Sequence, residues 1–193
     1  TIKGSGTIID PEETLAIDAN NFSISLDDVT GLTEATAKTK AEAKAWVIEN
    51  GADVTGNVNE AQLNAIKNAT ASGSYDLTFT ATHNSKTVTR VIKVNVTSGG
   101  TIIDPTNTVA IDGNSFIVNE AEAVSLTEAN AKARSNTKAW VVETGSSVTV
   151  DVNTIHLAEI KKGEAGVYPL ELSATHDSKT VSKTVYVTVK GSG

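Results

Sequence analysis

Two short acidic stretches have the residue types that bind calcium. Asp18-Ala19-Asn20-Asn21 and Asp112-Gly113-Asn114-Ser115 place carboxylate and amide oxygens close together along the chain. Calcium takes about six to eight oxygen ligands, and no EF-hand pattern surrounds either stretch. Asp10 and Asp104 precede prolines near expected domain joints, where a bridging ion could stiffen an array. Asx turns and strand bends explain these residues more simply. No metal site is therefore predicted, and the weak calcium candidates are Asp18, Asp112 and Asp104.

Histidine and tryptophan also recur in this sequence. His83 and His176 fall in equivalent predicted turns, but each turn has a single histidine and a metal site needs further ligands. Both are expected to be exposed turn residues. Trp46 and Trp140 could stack on a ligand, but each lies within an alternating apolar strand, and we expect core residues. His156 follows a helix cap and needs no further role.

The sequence gives little support for an isopeptide crosslink or for a catalytic site. A Lys–Asn isopeptide crosslink would use Asn95 in the last strand of the first half, but its counterpart is Thr188. A crosslink shared by both halves is therefore not expected. The sequence has no cysteine nucleophile, P-loop, paired-histidine motif or Gly-x-Ser-x-Gly motif. We predict that the chain is not an enzyme, and we assign no catalytic residue and no cofactor.

Composition narrows the range of partners. The net charge is −7, shared almost evenly between the two halves, and no basic patch exists. Nucleic acid and anionic membranes are therefore poor candidates. Aromatic residues make up 4% of the chain, too few for a platform of stacked rings, whereas 39% hydrophobic residues suffice for real cores. No segment is long and apolar enough to insert into a membrane.

The elements that carry these residues occur twice. Thr7-Ile8-Ile9-Asp10-Pro11 returns as Thr101-Ile102-Ile103-Asp104-Pro105, at an offset of 94 residues. After a one-residue deletion the offset is 93, and Ala81-Thr82-His83 returns as Ala174-Thr175-His176. We predict two domains: copy one at residues 1–98 and copy two at residues 99–193.

The ends of the chain carry the same repeat. Residues 1–6 nearly match residues 188–193, so they are expected to be the tail of a preceding copy. The chain is then a window from a longer array. Such arrays usually provide length, reach or avidity.

The first half of each copy predicts a strand, a helix and a strand. Leu15, Ile17, Phe22, Ile24 and Leu26 alternate with polar residues, with a bulge or bend at Asn20-Asn21. Thr33 and Thr127 are expected helix caps, and the helix should end near Lys40. The next strand begins at about Ala43 or Thr137, with Trp46 and Ile48 on one face and Ala45 and Val47 on the other.

The second half predicts a short strand, a helix and a long hairpin. Asn59 and Asn153 are expected caps, each with hydrophobic-staple spacing around it, and Gly163 is a plausible helix stop. Alternating apolar residues from Tyr75 to Ala81 and from Ile92 to Val96 predict the hairpin strands. The predicted order is β-α-β-β-α-β-β, with mainly antiparallel pairing.

Three motifs together resemble a known kind of module. These are Ala-Ile-Asp before an Asn/Ser-Phe strand, Leu-Thr-Glu-Ala-x-Ala-Lys before Lys-Ala-Trp-Val, and Gly-x-Tyr-x-Leu before Ala-Thr-His. They look like the repeat domains of Gram-positive cell-wall-anchored surface proteins, in particular the Ig-like repeats of Listeria internalin-type proteins. The resemblance implies a mainly β (α+β) fold: two tandem Ig-like β-sandwich-type domains, each decorated with two short helices.

The sequence therefore predicts a structural spacer that projects an adhesive domain from the cell wall. The expected location is extracellular, with attachment through parts of the parent protein outside this sequence. The expected partners are neighbouring repeat domains of the same chain. The alternative is a binding module that contacts a host protein or wall polymer, with avidity from repetition. Drift between the copies on exposed faces favours the spacer.

Overall fold

The computed structural model describes residues 6–192. The predicted tail of a preceding copy falls mostly on residues 1–5, which lie outside the described residues. The chain divides into two compact units between Ser98 and Gly99. The fold is mainly β with short helices, and each unit is a β-sandwich with its own hydrophobic core.

Copy one contains strands and helices in the order β1, β2, β3, α1, β4, β5, α2, β6, β7. Their bounds are β1 Ile8–Ile9, β2 Leu15–Asp18, β3 Phe22–Ser25, α1 Glu34–Lys40, β4 Lys44–Val47, β5 Gly56–Val58, α2 Glu60–Lys67, β6 Gly73–His83 and β7 Lys86–Thr97. The first sheet has the strand order β1-β2-β4, and the second sheet has the order β3-β7-β6-β5. Pairing is antiparallel except between β3 and β7, which run parallel.

Copy two repeats this arrangement with an extra helix. Its elements are β8 Ile102–Ile103, β9 Val109–Asp112, β10 Phe116–Asn119, α3 Glu120–Val124, α4 Glu128–Ser135, β11 Lys138–Val141, β12 Ser147–Val148, β13 Asp151–Val152, α5 Thr154–Ile160, β14 Gly166–His176 and β15 Lys179–Lys190. The first sheet has the order β8-β9-β11-β12, and the second has β10-β15-β14-β13. Strands β10 and β15 are the parallel pair.

The predicted first strand is in fact two strands in different sheets. Strand β2 pairs with β1 and β4, whereas β3 pairs with the end of β7 in the opposite sheet. The predicted bend at Asn20-Asn21 is the corner where the chain changes sheet. Strand β1, before Asp10, was also missed, because two residues are too short to show a period. These two differences correct the predicted order of elements.

The predicted helix signals are confirmed. Thr33 Oγ1 accepts the backbone N–H of Thr36 at 3.2 Å, and helix α1 ends at Lys40. Asn59 Oδ1 accepts the N–H of Gln62 at 2.9 Å. The prediction of two helices per copy fails for copy two. There Asn119 and Glu122 form a capping box that begins α3, whereas the same place in copy one is a 3-10 turn at Val29–Gly31.

The tryptophan prediction needs a correction. Strand β2 places Leu15 and Ile17 in the core, and they pair with Val47 and Ala45. Since alternate residues face opposite sides of a strand, Trp46 lies on the outer face of the first sheet. Trp140 has the same place in copy two and is buried, whereas Trp46 is half-buried. The strand was identified correctly and burial was predicted correctly for Trp140, but neither tryptophan belongs to the main core clusters, which contain Ala45 and Ala139 from this strand.

Candidate functional site

The buried carboxylates of Asp10 and Asp104 close a loop in each copy. Asp104 Oδ1 accepts the N–H groups of Thr108 and Val109, both at 2.7 Å, while its Oδ2 accepts the N–H and hydroxyl of Thr106. Asp10 makes the equivalent bonds to Thr14 and Leu15 in copy one. These bonds use the acceptor capacity of the Asp104 carboxylate within its own loop, which explains the residue without an ion.

The same hydrogen bonds set the acidity of the loop carboxylates. Burial raises the pKa of Asp104, but the hydrogen bonds from Thr106, Val109 and Thr108 outweigh burial and lower the pKa from 3.8 to about 2. The pKa of Asp10 is also lowered, with burial opposing the hydrogen bonds from Leu15 and Thr14. Both carboxylates therefore remain charged in the folded protein at neutral pH.

Asp18 and Asp112 lie beside the glycine through which the chain enters each domain. A Cβ on Gly6 would lie 3.0 Å from Asp18 Oδ1 and 3.3 Å from Arg90 Nη2. In copy two, Lys183 Nζ donates to the carbonyl oxygen of Gly100, and a Cβ on Gly100 would lie 3.7 Å from Asp112 Oδ1. We call each set of three residues a glycine anchor: Gly6, Asp18 and Arg90 in copy one, and Gly100, Asp112 and Lys183 in copy two.

Two other polar residues of the acidic stretches accept hydrogen bonds at the corner where the chain passes from one sheet to the other. Asn21 Oδ1 accepts the backbone N–H of Lys93 at 2.8 Å, and Ser115 Oγ accepts that of Tyr186 at 3.0 Å. Lys93 and Tyr186 occupy equivalent positions in β7 and β15. These contacts support the simpler explanation of the stretches as strand bends. No group of three or more His, Cys, Asp or Glu side chains placed to hold a metal occurs within residues 6–192, which include the calcium candidates Asp18, Asp104 and Asp112.

The recurring histidines are strand residues. His83 pairs with Lys86, and His176 pairs with Lys179, so each closes a hairpin whose turn is the next two residues. Both residues are partly exposed, and each lies in a strand just before the turn in which it was expected. In copy one, His83 also lines an open groove of about 500 Å³ together with Glu13, Glu49 and other polar side chains.

A shared role for Gln62 and His156 could not be predicted from residue type. Gln62 Oε1 accepts the backbone N–H of Thr78 at 2.7 Å, and His156 Nδ1 accepts that of Glu171 at 3.1 Å. The two helix residues are equivalent, and so are the two strand residues. Each side chain accepts a backbone N–H of β6 or β14 at a position just past the end of the neighbouring strand, β5 or β13. The sequence offered little indication of this role, because glutamine and histidine have in common only a side-chain hydrogen-bond acceptor at a similar distance from the backbone.

Asn95 and the two tryptophans make contacts with neighbouring side chains of their own sheets. Asn95 is buried, and its Nδ2 donates to Ser23 Oγ at 3.3 Å, on the face of β7 opposite the valines. Lys44 Nζ lies 5.6 Å from the centre of the Trp46 ring, and Lys138 Nζ lies 5.9 Å from that of Trp140. Both pairs have cation–π geometry. No helix within the described part of the chain is long and apolar enough to cross a membrane.

Comparison with known proteins gives no family for this chain. No family model and no curated protein sequence matches it. Among solved structures, domains 6–7 of the surface layer protein SbsC match at 12% identity and a TM-score of 0.27, covering 91% of this chain and 98% of that one. The first two cadherin repeats of human protocadherin-24 match at 11% identity and a TM-score of 0.22, covering 89% and 95%. At these TM-scores neither likeness carries an argument about fold or function.

Proposed function

We propose that this chain is a spacer region of a bacterial surface protein. Its domains stand outside the cell and hold an adhesive part of the parent protein away from the wall. The work of such a region is geometric and requires no active site. The observation that carries the proposal is the bond from Lys183 to the carbonyl oxygen of Gly100, which holds the chain where it enters copy two. Arg90 and Asp18 lie beside the equivalent Gly6 in copy one.

The glycine anchor shortens the linker between the copies. The last strand of copy one ends at Thr97, and Gly100 is already held by Lys183. Ser98 and Gly99 are the residues between these points. Glycine and serine make flexible linkers, but reach and freedom grow with the number of residues. We expect a linker of this length to restrict hinge motion, because few residues are free to change conformation.

Variation between the copies supports a spacer over a conserved binding face. Residues 27–30 read Asp-Asp-Val-Thr, and the equivalent residues 121–124 read Ala-Glu-Ala-Val. The change alters the element itself, from a 3-10 turn to helix α3. A face that bound one ligand in every copy would have to keep its shape and charge for repetition to add avidity.

The spacing can be measured by pulsed electron paramagnetic resonance. The chain has no cysteine, so Asn64→Cys and Ala158→Cys place one spin label on an exposed position of α2 and one on the equivalent position of α5. A spacer with restricted hinge motion predicts a narrow distribution of label distances. Lys183→Ala, which removes the bond to Gly100, should broaden it.

Control variants separate the anchor from other effects. Lys179→Ala removes an exposed lysine from the same strand, β15, and should leave the distance distribution unchanged. A broad distribution in the unaltered linker would contradict the spacer proposal. Tight retention on purified wall polymer or a host protein, lost when either copy is removed, would instead support the alternative of a binding module.

A further inference from the structure

The outer face of the second sheet in copy two has an apolar centre. In β15, Tyr186 and Thr188 point to this face. Tyr186 pairs with Pro169 of β14, and Thr188 pairs with Val167 of β14 and with Ile117 of β10. Since partners in register share a face, these side chains form a continuous cluster. We call Ile117, Val167, Pro169, Tyr186 and Thr188 the copy-two patch.

Copy one has polar residues in the same register, of which Asn95 is buried. The residues equivalent to Ile117, Thr188 and Val167 are Ser23, Asn95 and Ser74, which pair across β3, β7 and β6. The residues equivalent to Tyr186 and Pro169 are Lys93 and Asp76, which form an ion pair. The fold therefore does not need apolar side chains at these positions, so packing alone does not explain the copy-two patch.

The copy-two patch is large enough to matter at the surface. Ile117 is 54% exposed, Val167 65% and Tyr186 53%. Together with Pro169 and Thr188 they present on the order of a few hundred Å² of contiguous, largely apolar area, a size at which patches on soluble domains are often functional. None of these residues belongs to the core cluster of copy two.

We propose that the copy-two patch binds the copy-two patch of a second molecule of this chain. The argument is the charge at its two ends. Along β15 the outward-facing positions run Thr184, Tyr186, Thr188, Lys190, and Glu171 pairs with Thr184. The apolar rows at Tyr186 and Thr188 therefore lie midway between Glu171 at one end and Lys190 at the other.

This arrangement is self-complementary under two-fold symmetry. An axis across the strands, passing between Tyr186 and Thr188, reverses the strand direction and keeps β15 over β15. Lys190 of each molecule then meets the row that holds Glu171 of the other, so that two opposite-charge contacts flank the apolar contact. Face-to-face packing of two sheets with an isologous interface has this symmetry.

The limited area of the copy-two patch points to a weak contact. Stable dimers bury about 800 Å² on each partner, and the copy-two patch offers roughly half of that or less. The association should therefore be weak, with a dissociation constant on the order of 0.1–1 mM. Molecules held side by side at high local density would associate at that strength. This inference goes beyond the spacer proposal and does not depend on it.

Sedimentation equilibrium of the full chain tests the proposal. Between about 20 µM and 2 mM, a range that brackets the expected dissociation constant, the weight-average mass should rise from 20.0 kDa towards twice that value. The matched variant gives copy two the residues of copy one at four of the five patch positions and leaves Thr188 unchanged. It should weaken association at least tenfold and carries the changes Ile117→Ser, Val167→Ser, Pro169→Asp and Tyr186→Lys.

A charge exchange tests the symmetry separately and does not alter the apolar residues. Lys190→Glu alone should weaken association, and Lys190→Glu combined with Glu171→Lys should restore it. A chain that stays monomeric up to 2 mM overturns the proposal and leaves the patch to a different partner. Association that persists in the copy-one-like variant, or a charge exchange that fails to restore it, also overturns it. Circular dichroism at each step establishes that the variants are folded.

Discussion

At the scale of single residues, Asp104 links the stability of copy two to pH. Hydrogen bonding holds the pKa of the folded carboxyl at about 2, below the value of about 3.9 in unfolded chains. The unfolded state therefore binds more protons at intermediate pH. The resulting contribution to the free energy of unfolding is fully present above about pH 4, and it is lost as the pH falls towards 2.

We expect Asp104→Asn to lower the free energy of unfolding of copy two by about 1–2 kcal/mol at pH 7, because a charged acceptor is replaced by a neutral amide. The loss should shrink between about pH 4 and pH 2, where the wild-type carboxylate takes up its proton. Urea unfolding followed by fluorescence measures it, with Trp46→Phe in the background so that Trp140 reports on copy two. An equal loss at pH 2 and pH 7 would show that the charge is unimportant.

At the scale of elements, the second residue after helix α1 adopts an unfavourable backbone conformation. Ala41 caps the helix, and Glu42 then turns the chain towards β4 with φ of 50°. The equivalent residue of copy two is Asn136, with φ of 48°. The left-handed region costs most L-residues about 1–2 kcal/mol, whereas asparagine adopts it more readily. The two copies therefore have the same turn, but the asparagine of copy two suits its left-handed backbone conformation better than the glutamate of copy one.

The prediction is that Glu42→Asn raises the free energy of unfolding of copy one by about 0.5–1 kcal/mol, since asparagine relieves the backbone. Asn136→Glu should lower that of copy two by a similar amount. Thermal unfolding followed by calorimetry compares both variants with the unaltered chain. Stabilisation by Glu42→Ala as great as by Glu42→Asn would point to the lost glutamate charge and away from the backbone.

Which elements could be predicted follows from how local their causes are. The caps at Thr33 and Asn59 were predicted correctly because the bonds they make span three residues. The split between β2 and β3 was missed because it depends on β7, about 70 residues later in the chain. The face occupied by Trp46 was wrong for the same reason: it is fixed by pairing with β2, which the alternation within β4 does not reveal. At the candidate site, the role of His156 depended on a distant strand and had no local signal.

At the scale of the whole molecule, each copy has a separate hydrophobic core. The core of copy one draws on residues from Leu15 to Val96, and that of copy two on residues from Val109 to Val189. Both cores combine residues of the first and second sheets. Each core is built from residues of its own unit, which is the condition for folding alone.

Residues 99–193 expressed alone should therefore fold cooperatively, because the glycine anchor, both sheets and the core of copy two lie within that range. A dispersed NMR spectrum and a single unfolding transition are expected. The comparison is the same fragment with Leu170→Ala, a fully buried core residue, which should lose about 2–5 kcal/mol of unfolding free energy. A disordered spectrum for the unaltered fragment would contradict the division into two autonomous domains.

The parallel pairing of β3 with β7 has a mechanical consequence. A pull on the C-terminal end of copy one acts along β7, which lies between β3 and β6 in the second sheet. Drawing β7 out along its own axis slides it past both neighbours, so the ladder bonds on its two sides bear the load together. An end strand peeled sideways would release its bonds one after another. Copy one should therefore resist stretching through simultaneous shear, and forced unfolding should be governed by the rupture of this ladder.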